Sequence, residues 1–310
     1  MTMPSLTYSV VTTAMNEADN LGRLMDSLER QSLPPEAWLI VDTGSTDDTR
    51  LRTSELEKRH GWIKALQLEQ PYGRGGPIVR AFQAGVEALP SRADVIVKID
   101  ADISFDASYF EELMRRFEAD PVLGLASGTC LEERDGRWRP RHVTGDHVWG
   151  ACRAYRAGCF ADVTPLEERM GWDGIDAFKA SVRGWRTSSF RDLTFRHHRP
   201  EGARDRRLDA WLAHGRAAHY MGYRPTFLLL RSLFRAREDP VALAMVGGFA
   251  AAAIRREPQV PDANARAVVR RQQRLREVPL RALEALGWRR SPILLPVLEV
   301  LQTATVAVVG

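Results

Sequence analysis

Across its first two hundred residues the chain alternates short β-branched runs with segments whose apolar residues recur at helical spacing. Residues 6–13 (LTYSVVTT) read as a strand. Residues 20–31 read as a helix, with Leu21, Leu24, Met25 and Leu28 on one face, and residues 38–41 (WLIV) as a second strand. Pro34-Pro35 marks the loop before that strand, and Ser45 or Thr46 can cap a helix after it. Residues 63–68 and 95–99 (VIVKI) read as further strands, with a helix over 78–89 between them. Tyr109, Phe110, Leu113, Met114 and Phe117 form another apolar helical stripe. Strands alternating with helices predict an α/β fold, a mostly parallel sheet between helices. Ligands bind such sheets beyond the carboxyl ends of the strands, so polar clusters there are where chemistry belongs.

The last third has a different character. Residues 199–290 carry 19 Arg and no Lys against 9 acidic residues, a net +10, whereas residues 1–198 carry 25 basic and 30 acidic residues. Residues 240–254 (PVALAMVGGFAAAAI) hold no charge, and 291–310 are largely apolar. A membrane span needs ~20 apolar residues. The first stretch is too short for that, and the second is interrupted by Pro292, Pro296, Glu299 and Gln302. Helices lying on an anionic membrane surface, or packed on the α/β part, are expected. Nucleic acid is not an expected partner: no aromatic platform is interleaved with the arginines, and no zinc spacing is present. The three cysteines, Cys130, Cys152 and Cys159, have no metal-pair spacing and fit a reducing compartment. The first thirteen residues lack the basic start of a secretory signal, so a cytoplasmic location is expected.

Three polar clusters close apolar strands. Asp100-Ala101-Asp102 sets two carboxylates where both can reach one hard divalent cation, Mg2+ or Mn2+, bridging to phosphates. Thr12 to Glu17, with Thr13 and Asn16, and Val41 to Thr49, with Asp42, each run from a strand through a polar turn toward a helix. Backbone amides and short side chains there suit a nucleoside and its phosphates. Gly73-Arg74-Gly75-Gly76-Pro77, with Arg80 on the following helix, can approach phosphate closely and offers guanidinium forks. His197 and His198, neighbours at the end of an extended run, can complete a metal site or contact diphosphate. Their alternation means that one of the two serves, and Arg199 beside them is a phosphate candidate.

Asn16-Glu17, Asp42 with Gly44-Ser45-Thr46-Asp47, and Asp100-Ala101-Asp102 together resemble inverting family-2 glycosyltransferases of the bacterial polysaccharide-synthesis type. The resemblance covers about residues 5–200. It implies a GT-A nucleotide-sugar-binding fold over 1–200 with a helical, Arg-rich, membrane-facing extension over 201–310. By the resemblance, Thr13, Asn16, Glu17, Asp42, Arg74, Arg80 and Asp100 bind the donor, and Asp100, Asp102 and His197 or His198 hold the metal. Relatives often carry a second acid at the end of the second strand; Thr43 stands there, which leaves the nucleotide base open. The resemblance also implies a general base at the start of a helix, about eleven residues before a Gly-aromatic pair. Asp173 lies eleven residues before Gly184-Trp185 and Asp176 eight, so both are candidates. Trp149 and Trp172 can stack on a sugar.

The implied reaction moves a sugar, with inversion, from a nucleotide-diphosphate donor to a hydroxyl, a lipid-linked glycan at the inner membrane face being one such acceptor. Two alternatives stand beside it. A sugar-phosphate nucleotidyltransferase usually has a Gly-rich loop after its first strand, and Thr12 to Glu17 contains no Gly. A non-catalytic nucleotide-sugar-binding module is the other, with Asp100, Asp102, Asp173 and Asp176 intact against it.

Overall fold

The structure, a computed structural model, describes residues 3–70, 73–141, 147–199 and 206–285. Its centre is a set of strands rich in Val, Ile and Leu, three of them buried along nearly their whole length, while the edge strand exposes Lys64 and Gln67. They are β1 (Tyr8–Ala14), β2 (Ala37–Asp42), β3 (Ile63–Gln67) and β4 (Val95–Asp100), paired in parallel in the order β3-β2-β1-β4. Strands buried on both sides read as such continuous runs. The helices between them are α1 (Ala18–Glu29), α2 (Thr49–Arg59) and α3 (Gly76–Glu87). Past β4 come β5 (Ile103–Phe105) and α4 (Tyr109–Ala119), and then β6 (Leu123–Arg134), β7 (Arg137–Pro140) and β8 (Cys152–Arg156). Then follow α5 (Ala157–Val163), α6 (Trp172–Val182) and β9 (Arg186–His197). The sheet continues from β4 through β8, β6 and β9 to β5, with β8 antiparallel to both neighbours and β6 parallel to β9. A mostly parallel sheet between helices is therefore what the chain forms.

Each face has its own core. On one, Leu21, Leu24 and Leu28 of α1 meet Tyr109, Phe110 and Phe117 of α4. On the other, Val79 and Phe82 of α3 meet Trp172, Ala177 and Ala180 of α6. Two sequence expectations change. The helix after β2 starts at Thr49, and neither Ser45 nor Thr46 caps it. Asp47 takes the Thr49 N–H (2.9 Å), while Ser45 Oγ and the Thr46 N–H bond Asn16 in the neighbouring turn. Of the glycines around the start of α3, Gly75 and Gly76 make room for main chain. A Cβ on Gly75, whose φ is +73°, would lie 2.3 Å from the Met170 nitrogen, so the close neighbour is the main chain before α6.

The extension consists of α7 (Arg207–Tyr220), α8 (Pro225–Ala236), α9 (Ala244–Ile254), α10 (Ala263–Gln272) and α11 (Val278–Ala285), with a 3-10 turn over Pro240–Leu243. α7 and α9 cross at two glycines, because a Cβ on Gly215 would sit 2.0 Å from the Met245 carbonyl and one on Gly248 2.1 Å from that of Leu212. The uncharged run 240–254 is thus half used in packing: Met245, Gly248 and Ala252 are buried, and Val246 and Ile254 are exposed. No helix among the described residues is long and apolar enough to cross a membrane. The apolar segment 291–310 and the boundary at 200/201 lie outside the described residues.

Candidate active site

Register places the first group. Ala14 pairs with Asp42 and Thr13 with Asp100, so β1, β2 and β4 deliver their polar ends to one edge. The turns after β1 and β2 are laced together. The Asn16 N–H donates to Ser45 Oγ (3.0 Å), Asn16 Oδ1 accepts from the Thr46 N–H (2.8 Å), and the Glu17 N–H donates to Thr49 Oγ1 (2.8 Å). Asp42 accepts from the Ser45 N–H (3.0 Å). Thr43 is buried and donates to the Ala14 carbonyl (3.1 Å), so it closes the strand end from within.

The antiparallel pair β5–β9 sets Ile103 opposite His197 and thereby carries His197 to Asp102. His197 Nε2 lies 3.3 Å from Asp102 Oδ1, and ligand atoms of Asp100, Asp102 and His197 all fall within 4.8 Å of one another. His198 points the other way, with Nε2 2.8 Å from Ser104 Oγ and its ring against Trp138. Desolvation, with Arg23 nearby, lowers the His198 imidazole to about 4. Burial would raise the Asp102 carboxyl, but the His197 hydrogen bond and the Arg199 guanidinium override it and hold Asp102 at about 2. Burial would lower His197, and its bond to Asp102 outweighs this and raises it.

Two cations organise these carboxylates: Lys98, to which the sequence assigned no role, and Arg199, read there as a phosphate contact and found on two carboxylates. Lys98, buried and two residues before Asp100, shares its face of β4; its Nζ donates to Asp100 and to the Gly150 carbonyl (2.8 Å). Asp100 keeps 34% of its side-chain surface open. Arg199 spans the edge: Nη2 donates to both Glu17 carboxylate oxygens (2.6 and 2.7 Å), and Nε donates to Asp102 Oδ2 (2.9 Å). The signal for Lys98 was a lone cation in an otherwise apolar strand. Arg80 pairs with Glu168 (2.9 Å) and so braces α3 to the loop before α6; Arg74, half-buried, stands in the turn ahead of α3.

Asp173 and Asp176 sit on α6, which opens on Gly171 at φ +87°. They part company at once. Asp176 is 1% exposed; Arg153 holds it through Nε (3.0 Å) and Nη2 (2.6 Å), and the Tyr155 hydroxyl also donates to it. Burial pushes the Asp176 carboxyl up to about 6 even with Arg153 beside it. Enclosed in this way, Asp176 offers no oxygen to an acceptor. Asp173 is half-buried and borders Gly150, where a Cβ would lie 3.0 Å from its Oδ2. Asp173 thus neighbours the residue whose carbonyl holds Lys98. Arg153 also donates to the Asp173 carbonyl, which fixes the first turn of α6. Trp172 is buried between Lys98 and Arg153, with its ring 6.0 and 5.7 Å from them, and is core rather than an open sugar platform.

The chain matches the family described as Glycosyl transferase family 2 over residues 9–228. It is 29% identical over 147 residues to the glycosyltransferase AglD of Haloferax volcanii, covering 46% of this chain and 21% of that protein. It is 30% identical over 125 residues to a dolichyl-phosphate beta-glucosyltransferase of Trichomonas vaginalis, covering 37% and 35%. The chain thus spans about a fifth to a third of the length of these relatives. Among solved structures it is similar to a mannosyltransferase from Pyrobaculum calidifontis in complex with GDP-Man and Mn2+, at TM-score 0.54, 16% identity and coverage of 92% and 85%. It is also similar to S. aureus TarS in complex with UDP-GlcNAc, at TM-score 0.53, 19% identity and coverage of 69% and 66%. These likenesses show the GT-A fold, and they do not favour the nucleotidyltransferase alternative.

Proposed function

The chain belongs to glycosyl transferase family 2, and from that premise we propose that it transfers a sugar from a nucleotide-diphosphate donor to a hydroxyl acceptor, with inversion and with a divalent metal. The observation that carries this reading is the gathering of Asp100, Asp102 and His197 at the strand edge with Asp173 one residue contact away, at Gly150. Two carboxylates and one imidazole fit a hard cation such as Mn2+ or Mg2+. Asp100, Asp102 and His197 would hold it. When bound, the cation offsets charge on the departing nucleotide diphosphate. Thr13, Asn16, Glu17, Asp42 and Asp100 line the donor side, and Arg199 and Lys98 keep their carboxylates oriented. Arg74 and Arg80 are the proposed diphosphate contacts, which for Arg80 requires leaving Glu168.

Asp173 takes the proton from the acceptor hydroxyl as that oxygen attacks the anomeric carbon, a general-base role. Its partial exposure supports this assignment over Asp176. The acceptor is proposed to be a hydroxyl on a lipid-linked glycan, in bacterial cell-surface polysaccharide synthesis, at the cytoplasmic face of the cell membrane. The basic extension supports peripheral contact there. A panel of UDP-, GDP- and dTDP-sugars with Mn2+, read by thermal stabilisation, tests donor binding. At least one donor should raise the melting temperature in a Mn2+-dependent way, and no shift with any donor would contradict the reading.

A further inference from the structure

Among the described residues, six of the extension's eight exposed large apolar side chains fall on α8, α9 and the turn between them, Leu208 and Leu275 lying elsewhere, and arginines without a carboxylate partner flank the same elements. Leu229, Leu230 and Leu233 follow one another at helical spacing on the open side of α8 and are 49%, 40% and 51% exposed. The opposite side of α8 buries Leu228 and Ser232, and Ser232 Oγ donates to the Ala242 carbonyl (2.9 Å), pinning α8 to the 3-10 turn that leads into α9. That turn and α9 turn out Leu243, Val246 and Ile254, the last 82% exposed, while Met245 packs inward with Leu228 and Ala218. Residues 222–256 hold six arginines and two acids. Of the acids, Asp239 is taken by Arg207, by Trp211 and by the Val241 N–H. Among the described residues, Arg224, Arg237, Arg255 and Arg256 are in no ion pair with a carboxylate. Arg224 stands at the start of α8, Arg237 just past its end, and Arg255 and Arg256 just past the end of α9.

We infer that the outer face of the α8–α9 pair is the membrane-docking surface of this protein, with an anionic bilayer as its occupant. Leucines enter the acyl boundary while flanking arginines reach the phosphates with their charged ends. Charge complementarity chooses the occupant: a buried protein partner would have to neutralise four guanidiniums that have no carboxylate partner, whereas an anionic leaflet does so without specific geometry. This inference rests on the proposed peripheral contact and names the face that makes it.

The test is co-sedimentation of the full chain with vesicles of phosphatidylcholine, with and without phosphatidylglycerol, at low and high ionic strength. Wild type should be recovered with anionic vesicles at low salt and released at high salt. The Leu229→Glu/Leu233→Glu variant should lose roughly tenfold or more in partitioning, and Leu229→Ser/Leu233→Ser should lose less. Arg255→Gln/Arg256→Gln should weaken binding and flatten its salt dependence. None of these should change the donor-induced thermal shift, because the site lies elsewhere. If wild type binds and the leucine variants bind equally, this face is not the docking surface, though membrane contact stands. If wild type stays in the supernatant with anionic vesicles, both ideas fail. Retention through alkaline carbonate would assign the contact to insertion of residues 286–310. A change from dimer to monomer in the leucine variants, with unaltered lipid recovery, would give the face to a second copy of the chain.

Discussion

The two parts of this molecule use charge in opposite ways. In residues 3–199 the cations near the strand edge are tied: Lys98 to Asp100, Arg153 to Asp176, Arg199 to Glu17 and Asp102. In residues 206–285 several arginines make no ion pair with a carboxylate among the described residues. Apolar exposure follows the same division. Of the eleven large hydrophobic side chains turned to solvent among the described residues, Met3, Leu51 and Val122 belong to the first region and the other eight to the second. Around the strand edge, charges position side chains within the site, and the extension concentrates apolar surface and arginines without a carboxylate partner on its outside. The comparison yields expected outcomes for each region.

The largest effect belongs to the edge carboxylates. Asp102→Asn should abolish transfer and Mn2+-dependent donor stabilisation, and it should also lower the melting temperature, because His197 loses its carboxylate partner and Arg199 one of its two. His197→Ala should weaken Mn2+ binding measured by electron paramagnetic resonance, whereas His198→Ala should leave it unchanged. Next comes Asp173→Asn, which should reduce transfer roughly 10²–10⁴-fold with donor binding kept. Asp176→Asn should act on stability instead. It leaves Arg153 buried without its countercharge, a loss of about 3–5 kcal/mol in denaturant unfolding. If Asp176→Asn proves stable and catalytically dead while Asp173→Asn turns over, the two roles are reversed.

Alkaline stability gives a further contrast. Burial pushes the Cys152 and Cys159 thiols up to about 12 from 9.0. As pH rises, the unfolded chain therefore gives up these protons first. Their contribution is intact below about 9 and is lost as pH climbs through about 12. Native protein at neutral pH should resist alkylation at both thiols, and modification before unfolding would contradict this. The smallest effect is in the extension: Leu233→Ser should change stability by no more than about 0.5 kcal/mol. Leu113→Ala, in the core of the first region, should cost about 2–5 kcal/mol. Comparable losses at the two leucines would erase the comparison.

The parts legible in the sequence are those where one physical demand dominates. β1, β2 and β4 are buried on both faces and so read as apolar or β-branched runs, broken in β4 by Lys98, and the α1 and α4 stripes face a single core. β6 and β8 were not visible. β6 carries Gly124, Ser127, Gly128 and Thr129 at tight crossings, with its register to β9 shifting at Gly128/Thr129, and β8 holds a buried Arg153. Such residues look like loop until a partner strand is supplied. The same missing partner left Asp173 and Asp176 unresolved. Both precede the Gly-aromatic pair, and only the arrival of Arg153 from β8 encloses one of them. The sequence shows Arg153 and Arg156 three apart among Cys, Ala and Tyr, which does not say that one of them is buried or against what.

The most direct measurement of the central claim is release of nucleoside diphosphate from a panel of nucleotide sugars, with Mn2+ or with excess chelator, by wild type, Asp102→Asn and Asp173→Asn. The account predicts release from at least one donor by wild type with Mn2+, none with chelator or with Asp102→Asn, and strongly reduced release with intact donor binding for Asp173→Asn. Full turnover by wild type in excess chelator, or by Asp102→Asn, would contradict it.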